Sequence, residues 1–425
     1  MSSNPFIEPM AGEPAETVAT RIAGVTVERP AAEISIEGGT PSRHLCIYPA
    51  KSGYDLRREM NFLTHRAIEP NVFFAPRFMA PAMPRLEDKQ IRLMIMRDED
   101  ESRSRMRFLM PFSVERPGFA LATPIIRAWA NSFGPLGTPL LDQEAAAETL
   151  DNLFETLSRR ELRLPSVLVI PLARLDGPFA GLLRAVAISR GLPIAETDIQ
   201  HRPMLQSAMD GPDYLAQSLS TKHLRDRRRL RRRLAKQGSL DYHVARQPDE
   251  IRNRLEEFLH LEAGGWKGRK RTALVADRYQ AAFAREAVND LAAADNVRIH
   301  TLNLDNEAIA SMIVFVMNGT AYTWKTAYDE DYHAYSPGQL LVDDLTANHL
   351  DDPNIMITDS CAVPDHPVMS RLWRERCRMG TLIVGLSPTR DREVRQVTTQ
   401  LHLYKNTRNM ARKVRDRLSE IARSR

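Results

Sequence analysis

Residues 301–350 read TLNLDNEAIASMIVFVMNGTAYTWKTAYDEDYHAYSPGQLLVDDLTANHL, a succession of strand, turn, strand, loop and helix. Ala308–Met317 is an almost unbroken apolar, β-branched run, the pattern of a strand buried on both faces. Asn318-Gly319 is a two-residue hairpin turn. Ala321–Tyr328 alternates, which predicts Tyr322, Trp324, Thr326 and Tyr328 on one face and Thr323, Lys325 and Ala327 on the other. In Tyr335-Ser336-Pro337-Gly338-Gln339-Leu340-Leu341, Ser336 suits a helix N-cap, Pro337 the first helical position, and Gly338 a close approach to the backbone. Such a helix start offers free N–H groups and the positive end of a dipole, a seat for a phosphate or pyrophosphate. A plain helix start reads the same way.

Outward from this stretch the pattern repeats. Pro248–Leu261 and Arg278–Ala293 read as amphipathic helices and Val297–Leu304 as a strand; a basic loop with Trp266 and Lys267 follows Gly264-Gly265. Downstream, Asn354–Asp359 is a strand, Val368–Met379 a helix and Gly380–Gly385 a last strand. The first half carries strands at His44–Tyr48, Ile91–Met96 and Arg105–Val114, the last two forming a hairpin across a charged turn. Helices at Gln143–Leu157 and Pro178–Ser189 flank a strand at Ser166–Leu172. Strands alternating with helices define an α/β protein.

The expected organisation is a disordered leader at 1–42, an α/β half at 43–206, a basic linking helix at 207–241, a second α/β half at 242–387 and a basic amphipathic helix at 388–425. The leader carries six acidic residues against two basic up to Pro41, and His402–Arg425 eight basic against two acidic. Ser218–Gln237 holds nine Lys and Arg against one acid. That density suits a phosphate-binding helix, but no recognition helix, zinc pattern or aromatic platform accompanies it. A linking helix docked through Leu224, Leu230 and Leu234 is the expectation, with no specific nucleic acid as partner.

At 425 residues, 43% hydrophobic and 27% charged, the composition is that of a soluble globular protein, and the net charge of +5 is mild. No apolar run has the length of a transmembrane span, and the start lacks a signal-peptide layout. Three scattered cysteines, Cys46, Cys361 and Cys377, imply a reduced, cytoplasmic protein. No GxGxxG, P-loop, HExxH or GxSxG occurs, and the histidines lack metal-ligand spacing, so no metal is expected.

Several pieces, in order and spacing, resemble a known family. They are the Arg-rich helix ending Leu234-Ala235-Lys236-Gln237-Gly238; Glu262 with Gly265-Trp266-Lys267-Gly268; Thr272-Ala273; and Asn306-Glu307-Ala308-Ile309-Ala310. Tyr322, Lys325, Tyr328-Asp329 and Tyr335-Ser336-Pro337-Gly338 complete the set. From about Ser218 to Ser387 the chain resembles the acyltransferase domain of the GNAT superfamily found in CelD-type polysaccharide-biosynthesis proteins, relatives of FemAB-type aminoacyl transferases. Phe73–Phe78 and Arg107–Phe112 resemble the family's opening half. The resemblance implies two GNAT-like halves joined by the basic helix. It implies acyl transfer from acetyl-CoA or another acyl-CoA to an amine or hydroxyl of a sugar or cell-envelope precursor, and polysaccharide-synthesis machinery as a possible partner.

Tyr335, Ser336, Gly338, Gln339 and Leu340 would then receive the donor pyrophosphate. The usual loop is richer in glycine than this one, with its single Gly and Pro337, so an aminoacyl donor stays open beside CoA, as does a non-catalytic accessory role. Direct acyl transfer needs a positioned acceptor, a base and oxyanion donors. Lys325, mid-strand among apolar neighbours, is expected to face the cleft and bind an anionic or carbonyl oxygen. Trp266, Lys267, Trp324 and Tyr328 are the substrate-side candidates; Glu262, Asp329, His333 and Asp359 are the candidate bases. Cys361 has no evident His partner and is not read as a nucleophile.

Overall fold

The computed structural model describes residues 30–36, 42–87, 89–100, 104–118 and 122–405, with 20–22, 25–27 and residue 407. Most of the acidic leader and the basic stretch after residue 407 therefore lie outside the described residues. The α/β class is observed: one large mixed sheet with helices on both faces.

The sheet strands are β1 (Ala32–Ile36), β2 (Ser42–Pro49), β3 (Arg92–Glu99), β4 (Ser104–Glu115), β5 (Ile125–Ala128), β6 (Leu140–Leu141) and β7 (Val167–Arg174). They continue as β8 (Ile194–Leu205), β9 (Leu240–Ala245), β10 (Val297–Leu304), β11 (Glu307–Met317), β12 (Thr320–Tyr328), β13 (Ile357–Asp359) and β14 (Glu375–Gly385). Their order across the sheet is β9-β10-β11-β12-β13-β8-β14-β7-β5-β4-β3-β2-β1, with the short β6 on β4. Ala32–Ile36, read from sequence as part of a disordered leader, is the edge strand: its alternating Ala-Glu-Ile-Ser-Ile pairs antiparallel with β2.

The central order has a consequence for how the halves join. β8 comes from the first half of the sequence, yet it pairs with β13 on one side and β14 on the other. β14 comes from the second half, yet it pairs with β7. Strands distant in sequence therefore alternate at the centre of the one sheet.

Three groups of helices cover the three larger cores. α1 (Arg57–Arg66), α2 (Pro76–Leu86), α7 (Pro248–Gly264) and α9 (Arg278–Ala292) cover one face and share one core, drawn from both halves. On the other face α3 (Ala146–Leu157) and α4 (Pro178–Ser189) cover the first half. Beside them α5 (Gly211–Ser218), α6 (Thr221–Leu234), α10 (Pro337–Asp351) and α11 (Met369–Leu372) cover the second. The expected helix Val368–Met379 shrinks to α11, because Glu375–Met379 belongs to β14, which pairs with β8 from Glu375 onward and with β7 from Met379 onward.

The basic helix α6 docks as expected through Leu230 and Leu234, which are buried, with Leu224 packed against the same core. Its arginines add specific anchors on α10: Arg227 reaches Asp343 at 3.1 Å and Arg231 pairs with Asp344. Burial pushes the Asp343 carboxyl up to about 7, against the pull of Arg227.

Candidate functional site

The hairpin forms as read. Asn318 and Gly319 both take positive φ, 47° and 75°, the mirror-image turn that suits strand twist. β11 is buried on both faces over most of its length. The alternation read for β12 breaks in the middle. Ile313 of β11 pairs with Lys325, but the next residue, Val314, pairs with Thr323. Trp324 is thus an extra residue, a β-bulge, and everything after it changes phase. Tyr322, Trp324 and Ala327 pack on the α7 face, whereas Ala321 and Tyr328 belong to the core under α10. This corrects the sequence reading: Lys325 shares the face of Trp324 and Ala327, and Tyr328 lies opposite to Trp324.

β12 and β13 run parallel and pair only from Thr320↔Ile357 to Tyr322↔Asp359. β12 continues six residues to Tyr328, while β13 ends and the chain turns through Cys361, whose φ is 49°. The two chains separate, and a cleft of about 560 Å³ opens between them. Its walls come from the end of α7 and α8 (Trp266–Arg269), from Thr323–Tyr328, from the start of α10, and from 360–362 and 366–369.

Lys325 projects into this cleft with its Nζ 4.4 Å from the centroid of the Phe133 ring and 5.7 Å from that of Trp324. Among the described residues its ammonium has no hydrogen-bond or ion-pair partner. Burial, then the nearby charge of Lys267, lowers its pKa to about 8, with Glu262 pulling the other way. Phe133 belongs to the first half. It is held by two backbone hydrogen bonds around it to Asn131 Oδ1, and its carbonyl accepts from Trp324 Nε1 at 2.7 Å. No local signal in the sequence points to Phe133.

Glu262 is 3% exposed and fully committed. One oxygen accepts from Lys267 Nζ at 2.9 Å and the other from the Leu274 N–H at 2.7 Å. Lys267 also donates to the Thr326 carbonyl at 2.8 Å, so it bridges α7 to β12 at the cleft wall. Trp266 sits at the rim, its N–H donated to Glu330.

At the start of α10, Pro337 takes the first helical position as expected. Ser336 differs from the reading: it adopts a left-handed conformation, φ 53° and ψ 52°, and its side chain caps nothing. Its carbonyl accepts from the Gln339 and Leu340 N–H groups instead. Ser336, Gly338 and Gln339 line the cleft, and Gly338 packs so close to Tyr328 that an added Cβ would lie 3.4 Å from its ring. Leu340 is core, and Tyr335 lies under the Arg233 guanidinium, 5.5 Å from its ring centroid.

The remaining acids sit off the cleft lining. Asp329 accepts from the Asp331 N–H and caps the turn that follows. Asp359 is fully buried between Arg174 and Arg202, at 3.4 and 3.2 Å, and also accepts from the Cys361 N–H. Burial opposes its charge, but the two guanidinium groups win and hold its carboxyl below the usual range. His333 does line the cleft, with Nδ1 2.9 Å from the Glu330 carbonyl. Against a carbonyl that nitrogen must donate, so in the neutral form of the ring Nε2 carries the lone pair. Cys361 lines the cleft as well, and burial drives its thiol well above the usual value. Among the described residues no cluster of three or more His, Cys, Asp or Glu is placed to hold a metal, and no helix is long and apolar enough to cross a membrane.

No curated protein matches the chain in sequence. Among solved structures, FemX is similar over 77% of this chain and 95% of its own, at 8% identity and a TM-score of 0.48. A conserved protein of unknown function from Bacteroides thetaiotaomicron is similar over 77% and 96%, at 11% identity and 0.48. A tandem GNAT protein from the clavulanic acid biosynthesis pathway is similar over 81% and 99%, at 14% identity and 0.38. Residues 221–352, from the first residue of α6 to the residue after α10, match the model of the acetyltransferase (GNAT) domain.

Proposed function

We propose that this chain is a GNAT-type acyltransferase that uses the cleft between β12 and β13. The donor is acetyl-CoA or a longer acyl-CoA, and the acceptor is an amine or hydroxyl of a sugar or cell-envelope precursor. The observation that carries this reading is the separation of two parallel strands directly in front of the α10 N-terminus, inside the matched segment. A CelD-like place beside cytoplasmic polysaccharide-synthesis machinery is the finer form of the same proposal. On it, 43–206 and 242–387 are two GNAT-like halves, with 207–241 as the joining segment. Each contributes an antiparallel four-strand meander followed by one parallel pair, which supports that division.

The chemistry follows from the lining. The Gly338 N–H and the dipole of α10, with Gln339 lining the seat, receive the donor's phosphates. The acceptor's lone pair attacks the acyl carbonyl, and the carbon–sulfur bond breaks. Lys325, when protonated, steadies the developing oxyanion, and its desolvated surroundings strengthen that interaction. Lys267, held by Glu262, contributes on the acceptor side with Trp266. His333 Nε2 takes the acceptor's proton. Asp359 and Asp329 act through the backbone: the first fixes the turn at Cys361, the second the loop entering α10.

Thermal melting with acetyl-CoA, longer acyl-CoAs and free CoA tests the donor. Saturating ligand raises the melting temperature by a few degrees if it binds the folded chain. Gly338→Trp, which crowds the seat between α10 and Tyr328, abolishes that shift on this reading. No shift with any CoA would refute the acyl-CoA donor. The single glycine and left-handed Ser336 at this loop keep an aminoacyl donor as the second reading, tested by transfer from charged tRNA.

A further inference from the structure

The amine of Lys325 is in an unusual position for a lysine. Mid-strand side chains of its length ordinarily reach water or a carboxylate. This one ends over an aromatic ring inside a cleft, and the nearest carboxylate, Glu262, is spent on Lys267 and the Leu274 N–H. The bulge at Trp324 turns it there, and the Phe133 loop of the other half closes the space behind it. The titratable groups lining the same cleft are Glu262, Lys267, Tyr328, His333, Cys361 and His366. None of them makes a hydrogen bond or ion pair to Lys325 Nζ among the described residues.

We propose that Lys325 is itself an acyl acceptor: its neutral amine takes the acyl group from an activated ester or thioester that enters the cleft. This rests on the reading that the cleft admits acyl donors. In the step, the Lys325 nitrogen attacks the acyl carbon, an amide bond forms, and the bond from that carbon to sulfur or oxygen breaks. The leaving thiolate or alkoxide picks up the proton that the nitrogen sheds. The product is neutral and does not turn over. Acylation therefore removes the cation that steadies the oxyanion and fills the cleft with a stable amide, so the modification is self-limiting.

Reactivity has a physical basis beyond geometry. Near pH 8 about half of the Lys325 side chains are neutral, against well under 1% of an ordinary lysine with a pKa near 10.4. The nucleophile population is larger by roughly a hundredfold, partly offset by the weaker nucleophilicity that accompanies a lower pKa.

The test incubates the full chain with acetyl-CoA, and separately with p-nitrophenyl acetate, and measures acetyl-lysine at each site by mass spectrometry. Expected is labelling of Lys325 at least about tenfold faster than exposed Lys222 and Lys270. The Lys325 rate levels off above about pH 8 while theirs keeps climbing. Lys325→Arg removes the fast label and leaves the slow ones. Fast labelling by p-nitrophenyl acetate alone supports the reactive amine and counts against acyl-CoA as donor. Stabilisation by acetyl-CoA with no preferential label from either reagent overturns the inference and leaves the donor reading standing. Labelling of Lys325 at the rate of exposed lysines overturns it too.

Discussion

Lys325 brings an ammonium into a cleft that offers it a phenyl ring and no carboxylate of its own. That arrangement costs stability, and the cost has a definite pH dependence. The pKa falls from 10.5 to about 8 on folding, so below pH 8 both states are protonated and the folded state bears the whole penalty. Between pH 8 and 10.5 the unfolded chain holds more protons, and stability rises with pH. Lys325→Met, similar in length and uncharged, is expected to raise stability by roughly 2 kcal/mol at neutral pH, an advantage that shrinks above pH 8. Acyl transfer falls in the same variant. Denaturation at two pH values decides it: no gain at neutral pH would mean the amine is solvated. At this scale the sequence was informative about the lysine and silent about the bulge beside it. A lysine flanked by apolar residues mid-strand marks an unusual cation, but nothing in Tyr-Thr-Trp-Lys-Thr marks the bulge that turns it. Phe133 was invisible because its role depends on a fold contact nearly two hundred positions away.

Elements whose signals are local were readable: the Asn-Gly hairpin, Pro337 at the start of α10, and the leucines that dock α6. Polar groups caught between elements were not, since only packing brings them together. His300 on β10 and His349 on α10 meet with ring centroids 5.1 Å apart. Their Nδ1 atoms face the Tyr242 and Thr358 hydroxyls, while both Nε2 atoms are buried without a partner among the described residues. Burial pushes His349 down to about 4, and His300 well below its ordinary value, with the neighbouring ring adding to the shift. The unfolded chain therefore takes up protons near pH 6.5 that the folded one refuses until about pH 4. Stability is full above pH 6.5 and is lost as pH falls toward 4, by up to roughly 3 kcal/mol for His349 alone. His349→Asn keeps a polar partner for Thr358 and removes the titration. Its acid-unfolding midpoint is expected to move to lower pH; an unchanged midpoint would assign acid sensitivity elsewhere.

At the scale of the molecule, alternating strands and helices give the α/β class, but not the order in which the strands join. Periodicity tells which residues are buried in a strand and not which strand lies alongside. Here β8 sits between β13 and β14, and β14 between β8 and β7, so the centre of the sheet belongs to neither half. The same centre holds Asp359 between Arg174 and Arg202, with arginines from β7 and β8 and the carboxylate from β13. Cutting the chain between the halves would leave β14 without β7 and β8, and Asp359 buried without its cations. Removing one member of a buried charge network typically costs several kcal/mol, and an exposed apolar strand edge invites aggregation. The shared core of α1 and α2 with α7 and α9 adds to the dependence. The expected outcome is that residues 207–425 expressed alone do not fold, although the matched GNAT segment lies wholly inside them. The intact chain should melt in one transition, with its calorimetric and van't Hoff enthalpies in agreement. Asp359→Asn should lower that single transition by several degrees without splitting it. Two resolved transitions, or a soluble second half that binds acyl-CoA alone, would show that the exchanged strands are dispensable. The cleft, whose lining runs from Leu261 to Met369, would then work without the Phe133 ring that lies against Lys325.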